Sequence, residues 1–135
     1  MSSPHNYNQQ MIEQYRATGG RVNFPGPLLL LTTTGAKSGQ QRTVPVAYSR
    51  DGDHLVIIAS KGGAPTNPDW YYNLVAHPIV TVELGTETFQ ARATQVEGAE
   101  RDRLYAQHAA LMPGFAEYQR KTTRNIPVIL LTRLG

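Results

Sequence analysis

The chain has 135 residues, 40% hydrophobic and 17% charged, with 13 Lys+Arg against 10 Asp+Glu, a net charge of +3 and no cysteine. This length suits one domain that removes roughly two thirds of its unfolded surface from water, so a core forms without covalent staples. The missing cysteines exclude disulfides, iron–sulfur clusters, thiolate zinc sites and thiol chemistry. They suit a reducing compartment, and a cytoplasmic protein is expected. The longest apolar runs, Leu28–Leu31 and Ile126–Leu131, fall far short of the ~20 residues of a membrane span. The first ten residues have neither the basic nor the apolar region of a secretion signal. A small positive excess is compatible with an anionic ligand but does not demand nucleic acid, and none is expected.

Residues 7–18 read as a short amphipathic helix with Met11, Ile12 and Tyr15 on one face, ended by Gly19-Gly20. Asn23–Pro27 is a loop, because two prolines and a glycine leave no ladder to build. Leu28–Thr34 reads as a strand buried on both faces. Gly35–Gln41 is a polar turn bounded by glycine. Arg42–Arg50 is a strand with Val44, Val46 and Tyr48 on one side, and Asp51-Gly52 turns it into a partner at His54–Ser60. Lys61–Pro65 is too rich in glycine and proline for regular structure. Asn67-Pro68-Asp69 starts a helix, with Asn67 as the capping side chain, and that helix stops before Pro78. Ile79–Leu84 and Thr88–Val96 form two more strands. Glu97–Leu111 is an amphipathic helix with Leu104, His108 and Leu111 on one side. A short helix through Phe115–Lys121 and a strand at Ile126–Arg133 complete the chain. The order predicts an α+β, mainly β fold of about six mostly antiparallel strands with peripheral helices, either a small barrel or an α+β sheet; closure into a barrel would remove the exposed edges.

Three stretches carry candidate chemistry. In Gly35-Ala-Lys-Ser-Gly39, followed by Arg42, a glycine-flanked turn can aim backbone N–H groups at an anion. Lys37, Ser38 and Arg42 would add two charges and a hydroxyl, although an ordinary solvated turn fits the same spacing. In Ala59-Ser-Lys-Gly-Gly-Ala-Pro65, a strand runs into adjacent glycines that allow a flat ligand close to the backbone, and plain turn chemistry explains them equally well. In Asn67–Asn73, the adjacent Trp70, Tyr71 and Tyr72 cannot all face one core at 100° per residue, so at least one points to a ligand or partner. Core filling by Trp70 is the competing reading. His5, His54, His77 and His108 lack ligand spacing, so no metal site is expected. No serine lies in G-x-S-x-G, and no G-x-G-x-x-G follows a strand.

Taken in order, Leu28–Gly39, Arg42–Val46, Ala59–Pro65, Asn67–Leu74 and Thr122–Val128 closely resemble the deazaflavin (coenzyme F420)-dependent nitroreductases and F420H2-dependent quinone reductases of actinobacteria. The resemblance covers about residues 10–133. It implies a split β-barrel related to the flavin-mononucleotide-binding barrels, a single deazaflavin-binding domain over residues 1–135 with residues 1–26 as N-terminal helix and entrance loop. It assigns Lys37, Ser38 and Arg42 to the cofactor's phosphate and acidic tail. Ala59, Ser60, Lys61, Gly62 and Gly63 would line the ring, Pro45 and Val46 would lie beneath it, and Asn67, Trp70, Tyr71 and Asn73 would close the pocket. The implied reaction is hydride transfer to an electron-poor acceptor, a quinone, nitroaromatic or other conjugated compound, with Tyr118, Tyr48 and Ser60 as candidate proton donors.

The resemblance also leaves alternatives: a non-catalytic carrier of F420 or of a fatty acyl ligand, or a barrel that binds flavin mononucleotide or haem. Arg21–Pro27 is shorter than in quinone-active members, and Phe115 stands where some relatives carry tyrosine. Gln9, Gln10 and Gln14 make the first helix too polar to favour membrane contact. A second copy would pair along an open barrel edge.

Overall fold

The runs Leu28–Leu31, Leu55–Ile58 and Val128–Leu131 are apolar at every position because each belongs to a strand covered on both faces. Leu29, Leu31, Leu55, Ile57, Ile129 and Leu131 point into a common interior with Val46, Val80, Val82, Ala91 and Ala93. Their neighbours point outward. Val56, Ile58 and Val128 pack under Leu104, Tyr105 and Ile126, and Leu28 and Leu30 pack under Met11, Ile12 and Tyr15.

The computed structural model describes residues 4–22, 24 and 26–134. The sequence readings of Asn23 and Pro25, and of residues 1–3, lie outside the described residues. In chain order come α1 (Pro4–Thr18), β1 (Leu28–Thr34), β2 (Gln41–Asp51), β3 (His54–Ile58), α2 (Asp69–Ala76), β4 (Ile79–Leu84), β5 (Glu87–Val96), α3 (Gly98–Leu111), α4 (Gly114–Arg120) and β6 (Val128–Arg133). The strands pair antiparallel in the order β1-β2-β3-β6-β5-β4, and β4 returns to β1 through Leu30↔Glu83 to Thr32↔Thr81. This is a closed six-strand barrel of the split-barrel type with helices outside it. Every strand has a neighbour on both sides, but the pairing is uneven: β2 pairs with β1 over Gln41–Ala47 and with β3 only over Tyr48–Asp51.

The hairpin between β2 and β3 forms one residue further on than expected: Asp51 pairs with His54, so the two turn residues are Gly52, at φ +60°, and Asp53, rather than Asp51 and Gly52. Helix α1 is fixed at the far end of the barrel by Tyr15. Its hydroxyl accepts the Gly85 N–H at 2.8 Å and lies within donating distance of the Leu28 and Glu83 carbonyls, at 3.1 and 3.2 Å. Burial pushes the Tyr15 phenol above its ordinary pKa, so it stays protonated.

Four other local expectations are corrected. Strand β3 ends at Ile58, and β6 begins at Val128 because Pro127 has no N–H for a ladder; its carbonyl instead accepts the Ala59 N–H at 3.0 Å. Helix α2 begins at Asp69 with Pro68 at the cap position, and no side chain caps it. Leu111 is 61% exposed, because the buried stripe of α3 runs Arg101, Leu104, Tyr105, His108 and then Met112. Lys61–Gly63 forms a short 3₁₀ turn with left-handed residues.

His108 sits fully buried on α3, with Nδ1 2.8 Å from the Ser49 hydroxyl and its ring edge-on to Phe115 at 4.4 Å. Its Nε2 has no partner, and burial pushes its pKa down to about 4. The unfolded chain takes up this proton near pH 6.5. Between that value and the folded pKa, unfolding therefore binds a proton, and stability falls as pH falls. The expected slope is about 1.4 kcal/mol per pH unit, about 3 kcal/mol in all. Urea unfolding from pH 7 to pH 4.5 should show this slope in the wild type and a smaller one in His108→Gln. Equal slopes would remove His108 as the cause.

Candidate functional site

Strand direction decides which loops meet. β1 and β3 both run antiparallel to β2, so they leave the barrel at the same end, and β6, antiparallel to β3, enters there. The turn after β1, the loop after β3 and the segment leading into β6 therefore converge.

The turn after β1 is closed by its own backbone. The Gly35 N–H donates to Gln40 O at 2.8 Å, the Gly39 N–H to Gly35 O at 2.9 Å, and the Gln40 N–H to Ser38 Oγ at 3.2 Å. A Cβ on Gly35 would stand 2.4 Å from Ser38 Oγ, so a side chain there would displace the Ser38 hydroxyl from the turn. Asn73 on α2 fastens the turn to the barrel. Its Oδ1 accepts the Ala36 N–H at 3.0 Å, and its Nδ2 donates to Thr33 Oγ1 at 3.1 Å. Lys37, Ser38, Arg42, Val44, Trp70 and Asn73 line a cavity of about 800 Å³, with Asp69 and Tyr72 also on its wall. Lys37 and Arg42 are exposed, and neither takes part in an ion pair among the described residues.

The loop after β3 is left-handed over three residues: Lys61 at φ +48°, Gly62 at +63° and Gly63 at +84°. Ser60 just before them is right-handed, at φ −77° and ψ −39°. A right-handed residue followed by left-handed ones is the backbone of an anion-binding nest. Inside the loop, the Gly63 N–H donates to Ser60 O and the Ala64 N–H to Lys61 O. The Lys61 and Gly62 N–H groups have no acceptor among the described residues. Gly63 is buried against α4, where a Cβ would lie 2.9 Å from Tyr118 O. Pro45, Val46, Ser60, Lys61, Gly62, Trp70 and Tyr118 line a second cavity of about 240 Å³, with Phe24, Pro68 and Phe115. Trp70 borders both cavities.

Most of the candidates thus fall on two cavities that meet at Trp70. Five do not line either, among them Gly63, which is buried against α4. Ala59 is fully buried behind the loop. Asn67 does not cap α2; its Oδ1 accepts from Arg124 Nη1 at 2.7 Å. Tyr71 packs toward the barrel interior, and its hydroxyl donates to Gln95 Oε1 at 2.7 Å. Tyr48 lies on a third cavity of about 390 Å³ with Tyr15, Arg50 and Gly85 at the opposite end. It shares a face with Val44 and Val46, but strand rise carries it away from Ser60 and Tyr118. Of the three adjacent aromatics, Tyr72 is the one that points out, at 49% exposure.

Sequence reasoning gave no role to Arg124. Its guanidinium donates to Ser60 O at 2.7 Å, Ala64 O at 2.9 Å and Ala59 O at 3.2 Å besides Asn67. The only signal was its place in the Thr122–Val128 motif, because all of its loop contacts lie 57 to 65 residues away.

Fold and cavities together define a split-barrel protein with two cavities that meet at Trp70, the first carrying Lys37 and Arg42 and the second the Ser60–Gly62 backbone. The sequence pattern of the F420H(2)-dependent quinone reductases matches residues 7–133, and the chain belongs to that family. It is 44% identical over 128 residues to the F420H(2)-dependent quinone reductase Rv1261c of Mycobacterium tuberculosis, covering 88% of this chain and 85% of the relative. A solved F420-H2 dependent reductase (FDR-A) is 42% identical with a TM-score of 0.72, over 78% of this chain and 93% of that one. A structure described as a domain-swapped dimer is 37% identical with a TM-score of 0.73, over 96% of this chain and 99% of that one.

Asn73→Ala should cost about 1–3 kcal/mol in urea unfolding, because it strands both the Ala36 N–H and the Thr33 hydroxyl. A loss below about 0.5 kcal/mol would mean that the turn holds without α2.

Proposed function

We propose that this chain is an F420H2-dependent reductase that holds the cofactor across the two cavities and reduces an electron-poor, conjugated acceptor such as a quinone or nitroaromatic. The observation that carries this reading is the pair of cavities sharing Trp70, one cationic and the other apolar with free N–H groups. The donor set fits the cofactor. Lys37 and Arg42 would meet the phosphate and acidic tail as charge-assisted donors. Pro45 and Val46 offer an apolar floor for a flat ring, Trp70 a wall, and the Lys61 and Gly62 N–H groups a place for partial negative charge at the ring's polar edge.

Bound there, the reduced deazaflavin supplies a hydride. The protein orients, shields and protonates. Phe24, Phe115 and Tyr118 surround the second cavity with apolar surface that limits water at the reacting face. Tyr118 and Ser60 stand on that cavity and are the assigned proton donors; Tyr48, at the other barrel end, is left out of this role. Membership of a reductase family weighs against a non-catalytic carrier.

The reading extends to one domain over the whole chain, a cytoplasmic location and a homodimer. The family match over residues 7–133, the cysteine-free composition and the domain-swapped relative respectively support these three points. No helix among the described residues is long and apolar enough to cross a membrane.

Mixing the protein with reduced F420 and a menaquinone analogue or nitroimidazole should reoxidise the deazaflavin, followed by its absorbance. No reoxidation across a broad acceptor panel would contradict the reading. In equilibrium titration, Lys37→Ala and Arg42→Ala should each weaken oxidised F420 binding about tenfold or more, the effect of losing roughly 1.5–3 kcal/mol of charged hydrogen bonding. Unchanged affinity in both would dismiss the anion site.

A further inference from the structure

The loop from Ala59 to Asn67 carries the N–H groups of the second cavity that lack an acceptor among the described residues, and only two backbone hydrogen bonds among those residues tie it to itself. Those two bonds shape the turn; the Ala59 N–H bond to Pro127 O anchors its first residue and Gly63 rests on α4, while one side chain grips the loop at both ends. Arg124 grips the loop before the left-handed residues, at Ala59 O and Ser60 O, and after them, at Ala64 O and Asn67 Oδ1. All four acceptors are uncharged, and Arg124 makes no ion pair among the described residues. Its charge therefore stays behind the loop without a carboxylate to cancel it.

Peptide geometry turns this grip into an orientation. The peptide bonds are trans, so each C=O and the N–H that follows it point in opposite directions. Holding the Ala59 and Ser60 carbonyls against the guanidinium aims the Ser60 and Lys61 N–H groups away from it, and Ser60 and Lys61 line the second cavity. We infer that Arg124 is a positioning residue of the reductase site, holding the Ala59–Asn67 loop from behind so that its Ser60 and Lys61 N–H groups face the ring cavity. The inference rests on the proposed F420 reading for the identity of what those groups meet.

The outer helices hold the clamp in turn. Gln119 on α4 donates from Nε2 to Arg124 O at 2.8 Å, and its Oε1 accepts from Arg101 Nη2 at 2.5 Å and the Ile126 N–H at 3.3 Å. Arg101, buried on α3, also donates to Ile126 O at 2.8 Å. Lysine cannot replace this fork, because a single ammonium cannot span acceptors on both sides of the loop.

The test compares wild type, Arg124→Lys, Arg124→Ala, Asn67→Ala and the Arg124→Lys/Asn67→Ala double variant. Oxidised F420 affinity is read by fluorescence titration, and amide hydrogen exchange is read over residues 60–64 and over the barrel strands. Both Arg124 variants should bind at least tenfold more weakly, with faster exchange in the loop and unchanged protection in the strands. Ethylguanidinium should restore binding to Arg124→Ala and not to Arg124→Lys. Asn67→Ala should weaken binding a few-fold alone and have no further effect in the Arg124→Lys background. Affinity within twofold of wild type together with unchanged loop exchange, or fully additive effects of Asn67→Ala and Arg124→Lys, would overturn the inference. Should Arg124→Ala lose strand protection, the Asn67 cycle decides alone. If wild type bound no F420, the proposed function would fall, and the loop exchange would still decide whether Arg124 sets the loop.

Discussion

The pairing of β1 and β3 on opposite sides of β2 is the constraint on which the site depends. Antiparallel pairing on both sides makes β1 and β3 run in the same sense, so the glycine turn after β1 and the glycine loop after β3 emerge together. The closed barrel then brings β6 in at that end, and with it Arg124. Because β1, β3 and β6 are covered on both faces, a slip of one residue in any of them would exchange two buried surfaces rather than expose one. A rigid barrel and two short loops suffice to build a site when a cofactor carries the redox chemistry.

Charge is distributed in the same spirit. Arg16, Arg101, Arg103, Arg120 and Arg133 pair with carboxylates, and Arg124 pairs with carbonyls. Lys37 and Arg42 have no such partner and stand on one cavity, where the nearest fixed acid on the wall is Asp69. Both side chains are exposed, so their attraction for an anion is screened by salt and depends on direct contact. The Lys61 and Gly62 N–H groups act differently, as fixed dipoles at the edge of an apolar cavity.

Strands and most helix limits were legible because they rest on local periodicity, as in the run Leu28–Leu31 and the face of Met11, Ile12 and Tyr15, and the Asp51-Gly52 signal placed its hairpin to within one residue. The two glycine-rich stretches were legible as sites only in combination, and more firmly through the family resemblance. What failed was non-local. Asn67 has every local mark of a helix cap, but a guanidinium 57 residues away takes its oxygen. Tyr48 alternates correctly with Val46 and still lies at the wrong barrel end, because face is set by period and height by register. Arg124 carries no local signal, since its four partners come from a loop it meets only after the barrel closes.

The most direct measurement is a crystal structure of the chain with oxidised F420. The expected result has the acidic tail against Lys37 and Arg42, the deazaflavin ring over Pro45 and Val46 beside the Lys61 and Gly62 N–H groups, and Trp70 at the bend between them. A ring seated in the cavity of Tyr48 and Arg50, or a tail that leaves Lys37 and Arg42 untouched, would contradict it.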